Sequence, residues 1–258
     1  MSRNRAGREI PLVPELLLQK ASVAKTAGLR ARYARRGLDQ GEKVDPTIRA
    51  MLLRQLYLAA MERRHFSEAQ DLADEMLCLA VLPDSAHQDA ARACLGQKDL
   101  DGAVHHLRLA ARLGPASRRA FHLSMLGSLL YLNGRANEAL PVLRLAARWS
   151  TTDKAICRAQ LLIAEIEAKA PGATAQELHS ELAHLREAIE TASHHRGYGQ
   201  FVLGELCMLL GDYQSATGYL EAFLERVTQG RVAQQATLLA EIRRAKRHLT
   251  WLRRHREG

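Results

Sequence analysis

Aromatic residues and proline are scarce in this sequence of 258 residues: Phe, Trp and Tyr make up 5% of it, and only 7 residues are Pro. Stretches in which polar and apolar residues alternate between turns, as they do in β-strands, are also missing. Ala, Leu, Arg, Glu and Gln dominate instead, and these residues favour helices. The sequence therefore predicts an all-α fold. A chain that is 47% hydrophobic can bury a sizeable core, and its length suits a single domain.

Long apolar runs are missing as well, since no stretch reaches the roughly 20 residues that a transmembrane helix needs. Three arginines within the first eight residues precede an apolar run that Pro14 and Glu15 break, and this run is too short for a secretory signal. The arginines also suit a mitochondrial transit peptide, but the proline and the acidic residues oppose that interpretation. We therefore predict a disordered basic leader over residues 1–11 and a cytoplasmic location.

Motifs that carry catalysis or bind cofactors are absent: the sequence contains no P-loop, no dinucleotide-binding glycine pattern and no His-Glu-x-x-His. Adjacent histidines occur at 105–106 and 194–195, but neighbours on a helix point about 100° apart and cannot easily share a metal ion. His179 and His184 are five residues apart and do not share a face either. The acidic residues form no pair suited to acid–base chemistry. We predict no catalytic site, no metal, no cofactor and no small-molecule substrate.

The four cysteines are spread along the chain and never form a Cys-x-x-Cys pair. They lie within apolar helical stripes, and we interpret them as free, buried thiols of a protein in a reducing compartment: Cys78, Cys94, Cys157 and Cys207.

A small residue recurs where a second helix of a hairpin begins. Ala69 and Ala103 lie 34 residues apart, Ala139 follows 36 residues later, and Ala216 repeats the pattern further on. A polar or glycine-containing turn precedes each alanine. A larger side chain at this position would hold the two helices of the hairpin apart, so the pattern indicates repeated, closely packed helical pairs.

The first helix of each pair has a matching position for close packing. Small or apolar dipeptides occupy this position in four repeats: 56–57 (LY), 90–91 (AA), 126–127 (LG) and 203–204 (LG). Leucines and alanines then continue a buried stripe at helical spacing in the second helix, as Leu107 and Ala110 do.

These residues resemble the tetratricopeptide-repeat (TPR) family, most clearly over about residues 50–150 and 197–228. The resemblance implies a right-handed superhelix of antiparallel helix hairpins, with a basic helix at the N-terminus and a capping helix at the C-terminus. It also implies a non-enzymatic protein that binds other proteins.

Residues 12–258 are predicted to form one TPR-like α-solenoid domain. Residues 12–45 supply one N-terminal helix, from about Pro14 to Arg36, and a linker. Residues 46–228 form about five hairpins, of which the fourth lacks the Gly/Ala pattern and is degenerate. Residues 229–258 form a basic helix that caps the solenoid, because the end of a solenoid needs a polar outer face.

In the TPR family the first helices line a concave groove that binds an extended or helical peptide. That template places thirteen residues in the groove: Arg54, Leu58, Met61, Gln88, Arg92, Phe121, Ser124, Ser128, Tyr131, Tyr198, Phe201, Glu205 and Met208. Aromatic residues, Met and Arg often contribute strongly to binding energy. An alternative is that the aromatic residues pack between repeats. The family's carboxylate clamp uses Lys and Asn at inner positions, and this chain lacks suitable asparagines there.

The net charge of +9 is concentrated at the two ends of the chain. Residues 1–49 hold eleven Lys and Arg against five Asp and Glu, and residues 226–258 hold nine against two, so the repeats between them are mildly acidic. Such clusters attract acidic partners. The C-terminal helix would carry a basic patch of four arginines: Arg243, Arg244, Arg247 and Arg254. A solvated surface that binds nothing is the simplest alternative.

The leading hypothesis is therefore a cytoplasmic TPR scaffold or adaptor that binds a protein or peptide, acidic in character, in its concave groove. Self-association through the repeat ends is a second form of protein binding. The alternative function is binding of nucleic acid or an anionic membrane through the basic C-terminal helix, which ranks lower because the helix has few aromatic residues and no recognised nucleic-acid motif.

Overall fold

The computed structural model describes residues 13–41, 44–169, 174–192 and 197–256, and the regular structure within these ranges is helical, without a β-strand. The predicted leader, the turn predicted at 171–172 and the histidines at 194–195 lie outside the described residues. The helices are α1 (Pro14–Ser22), α2 (Ala27–Leu38), α3 (Pro46–Glu62), α4 (Phe66–Cys78), α5 (Pro83–Gly96), α6 (Leu100–Leu113), α7 (Ala116–Leu132), α8 (Ala136–Trp149), α9 (Lys154–Glu167), α10 (Ala175–Thr191), α11 (Tyr198–Leu210), α12 (Tyr213–Thr228), α13 (Val232–Thr237) and α14 (Leu239–Arg256).

Helices that follow one another in the chain pack against each other from α1 to α12, as expected of stacked hairpins. First helices of neighbouring hairpins also touch: α1 contacts α3, α7 contacts α9, and α9 contacts α11. The first helices therefore form the inner layer of the stack and the second helices the outer layer. The predicted all-α, TPR-like solenoid is confirmed by this arrangement.

The small residues lie where the repeat pattern places them. Ala69, Ala103, Ala139 and Ala216 are completely buried at the start of their helices. Opposite the last of these, a Cβ atom built on Gly204 would lie only 2.5 Å from Cδ2 of Leu220. Because real Cβ atoms do not approach so closely, any larger residue at Gly204 would force the Leu220 side chain or the helices to shift.

The turns inside four hairpins share one backbone feature. Each contains a residue with a positive φ angle: Arg64 (62°), Lys98 (66°), Gly134 (80°) and Gly211 (77°). This left-handed conformation ends the first helix and reverses the chain. Glycine adopts it without strain, whereas Arg64 and Lys98 adopt it at a cost of about 1 kcal/mol or more each. The turn is therefore a property of the repeat, independent of whether glycine is present.

The N-terminal region differs from the prediction. One helix was predicted from Pro14 to Arg36, but the structure has two, α1 and α2, separated by residues 23–26. The Thr26 hydroxyl accepts a hydrogen bond from the Leu29 amide at 3.2 Å and so starts α2 as an N-cap. The two helices form an additional hairpin that packs on α3.

The degenerate fourth hairpin shares its core with the last repeat. Leu162 and Ile163 of α9 and Ile189 of α10 are buried in the same cluster as Phe201 and Phe223. In the fourth hairpin, branched side chains and the aromatic rings of the last repeat fill the core, whereas the other hairpins pack through small residues such as Gly and Ala.

The C-terminal segment does more than cap the last repeat, because part of it also packs on repeats near the other end of the solenoid. In α14, Ala245, Leu249 and Leu252 are buried in the core of the last repeat, as a capping helix requires. The short helix α13, however, packs on α3 and α5 near the other end of the solenoid, where Ala233 and Ala236 are buried. We call residues 231–241 the C-terminal strap, because they cross the inner side of the solenoid.

Across the described residues, no helix is both long enough and apolar enough to cross a lipid bilayer. The four cysteines are free thiols. Three of them are buried as predicted, but Cys78 is exposed at the end of α4, so the prediction was wrong for this one residue.

Candidate functional site: the inner cavity

A cavity of about 650 Å³ lies on the inner side of the solenoid. We call it the inner cavity. Its walls come mainly from the first helices α3, α5, α7, α9 and α11, from the turn between α8 and α9, and from the strap. Two second helices add one residue each, Leu107 of α6 and Trp149 of α8. Its volume is within the range of about 300–1,000 Å³ that is usual for ligand sites. None of the described lining residues comes from α1 or α2, so the N-terminal hairpin does not fill the cavity.

Seven of the thirteen predicted groove residues line the inner cavity: Arg54, Leu58, Arg92, Phe121, Ser124, Ser128 and Tyr198. They come from the first helices of four hairpins, α3, α5, α7 and α11, and α9 of the degenerate hairpin adds Ile156 and Cys157 between the last two.

One part of the cavity wall is apolar and open to solvent. Phe121 and Trp149 are 47% and 42% exposed, and Met125, Leu129 and Ile156 lie around them in the wall. Trp149 was missed in the sequence analysis because it belongs to a second helix, which normally faces outward. It is the last residue of α8, and the adjoining turn carries the chain to the inner side. Large exposed aromatic residues in a concavity are typical of a binding site.

A charged cluster forms the part of the wall that α3 and α5 contribute. The buried Asp89 carboxylate accepts hydrogen bonds from Arg54 Nε at 2.7 Å and from an Arg92 Nη at 2.9 Å. Burial by itself would lower the pKa of Arg54, but the neighbouring Asp89 raises it above the ordinary value. Two guanidinium groups therefore share one carboxylate, and the cluster carries net positive charge. Arg92 also donates from Nε to the Thr237 hydroxyl at 3.1 Å, which anchors the strap.

A chain of hydrogen bonds connects α7, α9 and α11 with the end of the strap. Ser124 donates to Gln160 at 2.6 Å, and Gln160 donates to the Tyr198 hydroxyl at 2.7 Å. The Tyr198 and Ser128 hydroxyls lie 2.9 Å apart, and Ser128 donates to Glu241 at 3.1 Å. Burial raises the pKa of Tyr198, and it raises the pKa of Glu241 to about 7. The network holds the first helices of three hairpins in a fixed arrangement.

Three predicted groove residues are in the core instead. Met61 is completely buried, and Phe201 is 4% exposed with its ring 5.3 Å from that of Phe223. Gln88 is buried between α5 and α7, where it accepts a hydrogen bond from Arg118. The prediction is corrected for all three, because neighbouring helices enclose these side chains and none of them lines the cavity.

The remaining predicted groove residues also lie outside the inner cavity, two of them beneath α14. Glu205 is 3% exposed and accepts a hydrogen bond from Arg244 Nε at 2.5 Å. Tyr131 lies under the same guanidinium, 5.3 Å from its ring centroid. Met208 is half-buried against the core of the last repeat. None of the three lines the inner cavity, and Arg244 of the C-terminal helix covers Glu205 and Tyr131.

The predicted basic patch is divided by the structure. Arg243, Arg247 and Arg254 are exposed, whereas the Arg244 side chain is 14% exposed and is bonded to Glu205 and Glu167. Burial would lower the pKa of Arg244, but the two carboxylates raise it. Arg244 thus holds α14 on the inner face and does not belong to an exposed patch.

Two histidines from different helices form a pair that the sequence did not indicate. Nδ1 of His87 in α5 lies 3.0 Å from Nδ1 of His106 in α6. Burial and the neighbouring histidines lower the pKa of both rings. No group of three His, Cys, Asp or Glu side chains suited to a metal ion occurs in the part of the chain that the structure describes.

No protein-family model matches the sequence, and no curated protein matches it. A search of solved structures returns the crystal structure of YrrB, which is described as a TPR protein with an unusual peptide-binding site. The two chains are 16% identical, the match covers 80% of this chain and 98% of YrrB, and the TM-score is 0.47.

Proposed function

We propose that this protein is a cytoplasmic, non-enzymatic scaffold or adaptor that binds a segment of a partner protein in the inner cavity. The observation that carries the proposal is the exposure of Phe121 and Trp149 inside a cavity built from the first helices of successive repeats. Exposed aromatic rings in a concavity lose unfavourable contact with water when a partner side chain covers them. A volume of about 650 Å³ accommodates a few side chains of a peptide and excludes a folded domain.

The charges of the cavity favour a partner segment that is acidic. Asp89 balances only one of the two guanidinium groups of Arg54 and Arg92, and the Arg54 side chain remains 43% exposed. A carboxylate of the partner would balance the second charge through a charge-assisted hydrogen bond. The preferred segment thus combines an apolar or aromatic side chain, placed at Phe121 and Trp149, with an Asp or Glu placed near Arg54.

The strap forms part of the binding surface in this proposal. Thr237 and Glu241 line the cavity together with the repeats, and the strap already covers the inner side of α3 and α5. A partner segment would therefore bind beside the strap and contact both the strap and the repeats.

A displayed library of random peptides, selected on the full-length protein, tests the proposal. The affinity of an enriched peptide is then measured by fluorescence anisotropy with the wild type, with Phe121→Glu and with Leu145→Glu. Leu145 is exposed on α8 and does not line the cavity, so it is the matched control. We expect at least a tenfold loss of affinity with Phe121→Glu and no change with Leu145→Glu. The proposed site is contradicted if both substitutions weaken binding equally, or if neither of them changes the affinity.

The acidic preference has a separate test with the same peptide. Replacing its acidic residue with the corresponding amide should weaken binding to the wild type but not to Arg54→Gln. A double-mutant cycle isolates this pairwise energy. A coupling energy of zero would mean that the partner does not pair with Arg54, even if the cavity binds peptides.

A further inference from the structure

The outer face of α14 carries positive charge along most of its length, interrupted by the exposed Thr250. Ala245, Leu249 and Leu252 mark the buried face of this helix. Five cationic residues on the opposite side are exposed, and we call them the α14 stripe: Arg243, Lys246, Arg247, Arg253 and Arg254. Pairs of these positions are three, four or seven residues apart, which are helical spacings, so they share one helix face over about 16 Å.

The α14 stripe has almost no acidic partner within the described structure. The one ion pair that reaches it joins Arg253 to Glu221 at 4.0 Å, between two exposed side chains. Arg244, by contrast, points inward and is paired with two carboxylates. The helix thus uses one arginine for its own attachment, and four of the five stripe cations have no ion pair among the described residues and can bind an external anion.

Aromatic rings lie directly beside the stripe. Trp251 is four residues after Arg247 and three before Arg254, and its ring is exposed. The His255 ring stacks on it with a centroid distance of 4.1 Å, and the exposed Tyr213 ring meets it edge-on at 5.3 Å. The sequence shows only Trp251 in this helix, and the fold adds Tyr213 from α12. An aromatic cluster next to a row of cations offers both phosphate binding and stacking of bases.

We infer that the α14 stripe, together with Trp251, Tyr213 and His255, binds single-stranded nucleic acid. The cations would contact successive phosphates, and the aromatic cluster would stack on an unpaired base. A membrane is a poorer fit, because Trp251 is the one large apolar side chain among the described residues of the exposed face, which has no Leu, Ile, Val or Phe to insert into lipid beside it. A duplex has no unpaired base for the rings. None of the stripe residues lines the inner cavity, so this site is independent of the proposed peptide site.

Fluorescence anisotropy with full-length protein tests this inference. The probes are a labelled 20-nucleotide oligo-dT, its oligo-U counterpart and a duplex of the same length, and vesicles containing phosphatidylserine are tested by co-sedimentation. We expect both single strands to bind more tightly than the duplex and the vesicles to bind weakly. Four phosphate contacts predict that affinity falls about 50-fold between 50 mM and 200 mM salt.

Three variants decide whether the α14 stripe is responsible. The double substitution Arg247→Gln/Arg254→Gln should weaken binding at least tenfold and reduce the salt slope by about 1.4. The control Arg112→Gln/Arg148→Gln removes the same charge from exposed positions on α6 and α8 and should change affinity less than threefold. Trp251→Ala should weaken single-strand binding about fivefold or more. Equal losses in both double variants, duplex binding as tight as single-strand binding, or binding to vesicles alone would overturn the inference.

Discussion

The Ser128 hydroxyl donates a hydrogen bond to the Glu241 carboxylate at 3.1 Å, and so joins α7 to a residue 113 positions later in the chain. Glu241 is buried at this junction between the repeats and the C-terminal strap. A buried carboxylate is more stable in its neutral form, which is why the pKa of Glu241 rises to about 7. We therefore expect the attachment of the strap to weaken when Glu241 ionises.

The contribution of Glu241 to the free energy of unfolding should decrease as pH rises. Its folded pKa of about 7 exceeds the ordinary value of 4.5, so between these values the unfolded chain releases a proton that the folded chain keeps. The free energy of unfolding thus falls with increasing pH in this window and is constant above it. Gln cannot ionise, so we expect Glu241→Gln to raise the free energy of unfolding. The increase over the wild type should grow from near zero at pH 4 to as much as about 3 kcal/mol at pH 8.

Urea denaturation of both proteins at pH 4 and pH 8 measures this gain. Glu221→Gln is the control, because Glu221 is an exposed glutamate on α12. A gain that is the same at both pH values, or that also appears in the control, would show that burial of Glu241 is not its cause.

Phe121 and Phe201 should behave oppositely when they are replaced by alanine. Phe201 is 4% exposed within the core of the last repeat, and truncating a buried Phe costs about 3–5 kcal/mol. Phe121 is 47% exposed, and its truncation should change stability by less than about 0.5 kcal/mol. Chemical denaturation of Phe121→Ala and Phe201→Ala compares the two directly. Similar losses would mean that Phe121 is packed and does not form an open binding surface.

Replacing either of two glycines in the last repeat with alanine should have opposite effects on stability. A methyl group on Gly204 would lie 2.5 Å from Leu220 Cδ2, so Gly204→Ala forces the helices apart at a cost of about 1–3 kcal/mol. Gly218, within α12, has no atom within 4 Å of the same position, and Gly218→Ala should gain about 1 kcal/mol from helix propensity alone. Thermal unfolding measures both effects. A loss in both variants would contradict the close contact as the specific cause.

The His87 and His106 rings should titrate below the ordinary pKa of 6.5. Burial is the main cause, and repulsion from His106 lowers the pKa of His87 further. NMR titration should therefore show the pKa of His87 rising in His106→Gln, and rising less in His105→Gln. As pH falls, the histidines of the unfolded chain take up protons at a higher pH than the rings of the folded protein. The pair therefore lowers the free energy of unfolding as pH falls below about 6.5. An unchanged pKa of His87 in His106→Gln would contradict the coupling.

The repeat itself could be predicted from the sequence, because its signals are local. The alanines at 69, 103, 139 and 216 fix where second helices begin, and each is completely buried. The register of first helices also placed Phe121 and Ser124 in the inner cavity. The break between α1 and α2 was missed, since Thr26 acts through a cap that competes only weakly with a continuous helical pattern.

The sequence by itself determined an all-helical chain, the hairpin register and the concentration of positive charge at the ends. Only the tertiary structure decided which residues of a shared face remain open. Periodicity puts Phe121 and Phe201 on the inner sides of their helices, but it cannot show that α14 and α12 enclose one of them. Residues 243 and 244 are both arginine, yet Arg243 faces solvent and Arg244 is paired with Glu205. The physical reason is that helical spacing fixes which side chains lie together, whereas the group they meet comes from a distant part of the chain.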